Sequence, residues 1–293
     1  PKLISAGFND SKISFTNGNF RKWVSEDQKI LFEKKTGLYT YELHTEKVTQ
    51  VLPEDKLQLF QFIYTREIGV SKNHIYFAAG EKGRDKFDLY QLNLQNYSLK
   101  KFAEEPDSIH VSNVTVSEKG DLLAYSYYRP STEPDPLQSG IKIINLQTKE
   151  EVFHHPLQGA MLFYANLDII SENKLLARNR YGKNYLFSFG KKGVNTSVEE
   201  LAVEDIGYAL RNINAEEILT LSFSGETRLY HSYNISTKEK QLLLSGVNTF
   251  ICGIRKSGKT YSIYFTQEDR KTPKQLFRTI TSPSTKENEL QLV

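Results

Sequence analysis

One fragment recurs six times along this chain: a polar turn, an apolar run rich in aromatic and β-branched residues, and a strand of the type Leu-Tyr-x-x-x-Leu. Repetition at a regular spacing constrains a fold more than any single motif, because each copy must be one structural unit. The turns open at Ser25, Ser71, Ser117, Ser171, Asn214 and Lys256, so successive copies start 46, 46, 54, 43 and 42 residues apart.

Each turn leads into a short apolar run, such as IYF from Ile75 or YSIYF from Tyr261, and then into a second run, such as LYTYEL from Leu38 or LYQLNL from Leu89. Most of the second runs alternate with period two, which turns one face of a strand inward. Polar turns such as QTKE from Gln147 and STKE from Ser236 lead on to a fourth segment, for example residues 48–52 and 240–244. Upstream of the opening turns lies a first segment, as in residues 20–24, 113–116, 165–170 and 250–254. The pattern predicts an all-β fold, a β-propeller of six blades with four antiparallel strands each. Repeated helical hairpins are the structural competitor. They need long stretches of 3.6-residue periodicity, and these runs are short and bounded by Gly, Asn, Asp and Ser.

The repeat runs end to end, so residues 1–293 read as a single domain, in keeping with the long single domains of propellers. Residues 1–18, with the strand-like Ile13-Ser14-Phe15, are expected to close the ring or to be the remnant of another segment. The chain opens at Pro1 without an initiator methionine, so an N-terminal segment is expected to have been removed, and a signal or lipoprotein peptide, if it was one, is not visible in this sequence. No stretch approaches the roughly 18 apolar residues of a transmembrane helix. With 38 basic and 35 acidic residues the net charge is only +3, so the balance gives no nucleic-acid footprint. The single cysteine, Cys252, cannot form an internal disulfide and reads as a buried, inert thiol.

Several motifs suggest chemistry. Residues 253–260 read GIRKSGKT and match the phosphate-loop pattern GxxxxGK[ST]. A working phosphate loop opens a helix, whereas YSIYFT, an alternating strand, follows Thr260, and the segment falls where the other copies place a hairpin turn. No nucleotide or other cofactor is therefore expected. His154-His155 cannot readily chelate one metal ion, since neighbours on a strand point to opposite faces. His44, His74, His110 and His231 show no ligand spacing, and no GxSxG nucleophile segment occurs. Asn96, Asn113, Asn195 and Asn234 open N-x-[ST] triplets, which matter only in a eukaryotic secretory host.

The loops joining the second and third strands of every blade must emerge on one side of a propeller. They bring together Lys82, Arg84, Lys86, Arg129, Arg178, Arg180, Lys183, Arg228, Arg270 and Lys271, a candidate binding surface for an acidic partner or anionic ligand. Each of these loops also carries acids, and a solvated loop is the competing explanation. Residues 80–87 and 129–140 stand out for length, the latter stiffened by Pro130, Pro134 and Pro136.

The order of turn, apolar strand, Leu-Tyr-x-x-x-Leu and Thr-Lys turn resembles the repeats of the TolB-like family, whose unit reads SPDG, an apolar strand, then IYxxDLxT. VSEKGDLLAYS from Val116 and GLYTYELHTEKVTQVL from Gly37 match best. The likeness covers the whole chain, with SEDQ, SKN, SEN and NAEE standing where the family has SPDG. The resemblance implies a monomeric, extracytoplasmic propeller, periplasmic or secreted, that binds other proteins in the cell envelope and is not an enzyme. Similar blades form the non-catalytic propeller of the prolyl oligopeptidase family. An alternative is therefore a propeller lyase or lactonase acting at the channel mouth, or the accessory half of a peptidase.

Overall fold

The computed structural model describes residues 20–24, 29–34, 37–42, 44–53, 57–58, 68–71, 73–81, 86–103, 105–106, 109–129, 139–157, 164–179, 183–190, 196–201, 208–267, 275–281 and 290–292. Among them are twenty-five strands and no helix, gathered into six antiparallel sheets.

The first sheet runs in chain order through β1 (Phe20–Val24), β2 (Lys29–Lys34), β3 (Gly37–Glu42) and β4 (Val48–Pro53). In the second, β5 (Leu57–Gln58) and β6 (Gly69–Ser71) both pair with β7 (His74–Glu81), which is followed by β8 (Asp88–Asn93) and β9 (Leu99–Ala103). The third holds β10 (His110–Val116), β11 (Leu122–Tyr128), β12 (Ser139–Asn145) and β13 (Glu151–Leu157). The fourth holds β14 (Tyr164–Ser171), β15 (Lys174–Asn179), β16 (Asn184–Ser188) and β17 (Ser197–Leu201). The fifth consists of β18 (Tyr208–Asn212), β19 (Glu217–Ser224), β20 (Thr227–Asn234) and β21 (Lys240–Val247). The sixth consists of β22 (Thr249–Ser257), β23 (Thr260–Gln267), β24 (Gln275–Thr281) and β25 (Leu290–Leu292). The strands expected from the repeat are all present, and the repeated four-strand meander is consistent with a β-propeller. No single closed sheet joins them.

By contacts the chain forms two compact units, residues 1–181 with 187–198, and residues 182–186 with 199–293. Within the first, Leu31, Leu38, Val51 and Leu52 pack against Ile75, Phe77, Ala79, Tyr90 and Leu92. The other face of the second sheet, through Tyr76, Ala78 and Leu89, packs against Val111, Val114, Leu123 and Tyr125. The second sheet is thus buried on both faces, which is why IYFAA from Ile75 is continuously apolar rather than alternating. Within the second unit, Leu219, Tyr230, Leu243 and Leu244 meet Tyr261, Ile263 and Phe265. Each fully buried Ile, Leu or Phe here contributes about 1.5–3 kcal/mol.

Two local devices recur. The register slips in the first strand of five sheets, at Phe20/Trp23, Ser112/Val114, Tyr164/Asn166, Ala209/Arg211 and Ile251/Gly253. Such bulges sharpen the twist of the bulged strand. At the second, the extra residue Asn113 takes a left-handed φ of 40° and donates to Ser126 Oγ at 2.9 Å and Ser112 Oγ at 3.2 Å. Three of the turns between third and fourth strands, those of the second, third and fifth sheets, are held by an asparagine. The Oδ1 of Asn93, Asn145 and Asn234 accepts backbone N–H groups two and three residues on, at 2.7 and 3.3, 2.9 and 3.0, and 2.9 and 2.9 Å. Tyr97, Lys149 and Lys238 then turn the chain in the left-handed region.

Residues 253–260 form a hairpin: β22 ends at Ser257, Gly258 turns at a φ of 59°, and β23 begins at Thr260. The helix that a phosphate loop requires is not there. No helix among the described residues is long and apolar enough to cross a membrane. Residues 1–18, the side chain of Cys252, Asn195 and most of the loop at 129–140 lie outside what is described.

Candidate binding surface

In each meander the connection between second and third strands lies at one end of the sheet, and the connection between third and fourth at the other. Five of the ten basic residues singled out from sequence are described, and all five sit in or beside a connection between second and third strands. Lys82, Arg84, Arg180, Arg270 and Lys271 lie outside the described residues.

Lys86, just before β8, is nearly buried; its Nζ lies 3.2 Å from Asp88 Oδ1 and donates to the Glu105 carbonyl at 2.7 Å. Lys183, just before β16, pairs with Glu200 at 2.8 Å. Arg129 follows β11 and is exposed, while Arg178 near the end of β15 is half-buried. Arg228, the second residue of β20, donates from Nη1 to the Thr249 carbonyl at 3.2 Å, and its Cζ stands 3.8 Å from the centre of the Phe250 ring.

The surroundings of Arg228 supply what sequence reading missed. Phe223 pairs directly with Arg228 across β19 and β20, so both side chains leave the same face. On β21 the partner of Arg228 is Gly246, and the space above it is taken by Thr249, whose Oγ1 would lie 2.3 Å from any Cβ placed there. Thr249 is further held by the Tyr230 hydroxyl, which donates to its carbonyl at 2.7 Å. Phe223 and Phe250 are 53% and 45% exposed, among the most exposed large apolar side chains described. Arg228 is therefore a positioned cation stacked on one solvent-facing phenyl ring, with a second exposed ring on its cross-strand partner. The signal in the sequence is an aromatic residue directly before the SGET turn. It reads as strand alternation until Phe250 is brought beside it.

Two buried acidic clusters differ in kind. Glu105 accepts from the Tyr125 hydroxyl at 2.7 Å and from Lys142 at 2.8 and 2.9 Å. Glu217 accepts from Lys256 at 2.5 Å and from the Tyr261 hydroxyl at 3.0 Å. Glu105 ties the connection after β9 to the third sheet and Glu217 ties the fifth sheet to the sixth; each has its charge matched internally, so these clusters hold structure. The neighbouring pair His154-His155 divides as expected on a strand. His154 meets the Tyr127 hydroxyl at 2.7 Å, and His155 stacks with Phe153 and meets Phe187 edge-on. Burial, aided by the Glu105 and Glu151 charges, pushes the Tyr127 phenol up to about 12. That is the direction opposite to an activated nucleophile. His155 and His231 are held below the ordinary imidazole value, chiefly by burial. No cluster of three His, Cys, Asp or Glu side chains suited to a metal occurs among the described residues.

No protein-family profile matches the sequence, and no curated protein matches it. Solved structures do. An oligogalacturonate lyase in complex with manganese matches 92% of this chain and 76% of its own, at 13% identity and a TM-score of 0.61. A structure from an analysis of two prolyl endopeptidases matches 94% of this chain and 42% of its own, at 9% identity and a TM-score of 0.59. TolB from Acinetobacter baumannii matches 78% of this chain and 55% of its own, at 13% identity and a TM-score of 0.48, too low to support an argument. The chain spans about two-fifths of the length of the peptidases it matches. At these identities the likeness to the lyase and peptidase structures shows the fold alone.

Proposed function

We propose that residues 1–293 form one six-bladed β-propeller that acts outside the cytoplasm as a monomeric, non-enzymatic scaffold. It engages a protein partner through the sheet ends at which second and third strands are joined. The six repeated sheets and the match to 92% of the chain in the lyase structure support the architecture. The TolB-like repeats support a location in the cell envelope. One observation carries the binding role: at such an end, Arg228 stacks on the exposed Phe250 ring, and its cross-strand partner Phe223 is exposed as well. A solvated loop has no need of exposed aromatics held around a cation, whereas interface centres are enriched in aromatics and Arg.

Photo-crosslinking side chains at Phe223 and at Thr237, which occupy opposite ends of the fifth sheet, test this reading in the cells that make the protein. Specific adducts from position 223 and not from 237 are expected. Adducts from 237 alone, or from neither, overturn it.

A second reading rests on the peptidase structures, of which this chain covers 43% and 42%. As the accessory propeller of a hydrolase, the chain would be one segment of a longer product. The gene sequence on either side of residues 1–293 decides that directly.

A further inference from the structure

Arg228 differs in its neutralisation from other described cations. Lys86 is matched by Asp88, Lys142 by Glu105, Lys183 by Glu200, Lys238 by Glu199 and Lys256 by Glu217. Arg228 has no carboxylate among the described residues, although Glu226 is exposed two residues away; it is held instead by a carbonyl and a ring. A guanidinium stacked on an aromatic face keeps the in-plane N–H fork that binds a carboxylate with two parallel hydrogen bonds. Its orientation is already set by Thr249, so little side-chain freedom remains to be lost on binding. Phe250 provides apolar contact to the guanidinium, and Phe223, the cross-strand partner of Arg228, stands exposed on the same face of the sheet.

Resting on the proposed role as a partner-binding scaffold, we infer that this site takes one kind of occupant. It is a segment of a partner protein that presents an Asp or Glu carboxylate next to an aromatic or aliphatic side chain. The carboxylate pairs with Arg228, and the apolar neighbour lies on Phe250 and Phe223. Charge complementarity selects this occupant over a basic or purely apolar segment, since a neutral ligand would leave the cation unmatched beneath it.

The test is selection of random twelve-residue peptides displayed on phage against the intact protein, followed by fluorescence-polarisation titration of the enriched peptides. Enrichment of an acidic residue beside an aromatic or aliphatic one is expected. Asp→Asn or Glu→Gln exchange in the peptide, Arg228→Gln in the protein, or Phe250→Ser should each weaken binding at least tenfold. Arg228→Lys should retain part of it, and unchanged thermal unfolding of the variants shows that the sheet is intact. Peptides without an acidic bias that bind Arg228→Gln equally well overturn the inference and leave the scaffold reading standing if hairpin-end substitutions such as Arg129→Glu abolish them. Absence of any selectable peptide overturns the inference, and the crosslinking at Phe223 then decides the scaffold reading separately.

Discussion

The Tyr127 hydroxyl lies 2.7 Å from His154 Nε2, and it reaches that far by crossing β12 at Gly140. A Cβ at Gly140 would stand 2.3 Å from the Tyr127 hydroxyl and 2.5 Å from its ring carbon Cζ. Gly140→Ala should therefore displace the ring and break the bond to His154. Overpacking of this kind costs about 1–3 kcal/mol. The midpoint of urea unfolding checks it; a midpoint equal to that of the parent protein would mean the ring yields without cost.

The same phenol makes stability depend on alkaline pH. Burial raises its pKa in the folded state to about 12 from an ordinary 10, so the folded protein holds a proton that the unfolded chain releases. The contribution is complete below pH 10 and disappears as pH rises through about 12, a change on the order of 2–3 kcal/mol at 1.36 kcal/mol per unit. Tyr127→Phe loses the His154 bond at neutral pH but escapes this alkaline decline. The parent protein's advantage over the variant should shrink between pH 9 and pH 11.5 in chemical unfolding. A constant difference over that range would refute the assignment.

Nucleotide should leave the protein indifferent. Residues 253–260 are a hairpin whose Lys256 is bound to Glu217, and the turn Ser257-Gly258-Lys259 opens no helix. Without helical N–H groups aimed at a phosphate, the motif has lost the physical basis of its affinity. Millimolar ATP with magnesium should not move the melting temperature of the parent or of Lys259→Ala. A rise in the parent that vanishes in the variant would restore the nucleotide reading.

The repeat was legible because strands announce themselves locally: alternation at Leu38-Tyr39-Thr40-Tyr41 and the turn residues around them sufficed to place β3 and its neighbours. The asparagine turns were missed. In the NLQN, NLQT and NIST stretches the informative residue, Asn93, Asn145 or Asn234, closes the strand rather than lying in the polar turn that follows. The basic residues were found by position, but their pairing was not legible. Lys86 and Asp88 lie two apart in sequence, while the carbonyl holding Arg228 comes from Thr249 on the next sheet. Phe223 and Phe250 acquire meaning only from that long-range contact.

The tie between Glu217 and Lys256 gives the last prediction. Glu217 on β19 accepts from Lys256 on β22 and Tyr261 on β23, so one carboxylate joins the fifth and sixth sheets beside the core of Leu219, Tyr261 and Ile263. Glu217→Ala leaves a cation and a phenol facing each other without an acceptor. Breaking a buried pair costs about 3–5 kcal/mol, and partial access of Lys256 to water brings the expected loss nearer about 2 kcal/mol. Glu217→Gln, which keeps an acceptor oxygen, should lose about half as much. The double variant Glu217→Leu with Lys256→Met should be more stable than Glu217→Ala, because it removes both charges and adds apolar contact. Burial acts to lower the Lys256 pKa, but the hydrogen bonds and charge from Glu217 and Tyr261 outweigh it and raise the net value. The pair's contribution is therefore complete at neutral pH and is lost only as pH climbs past the ordinary lysine value of 10.5. Unfolding free energies measured at pH 8 should separate the parent from Glu217→Ala, and the gap should narrow only above pH 10.5. A gap that widens there would mean the pair is held by contacts other than its charge.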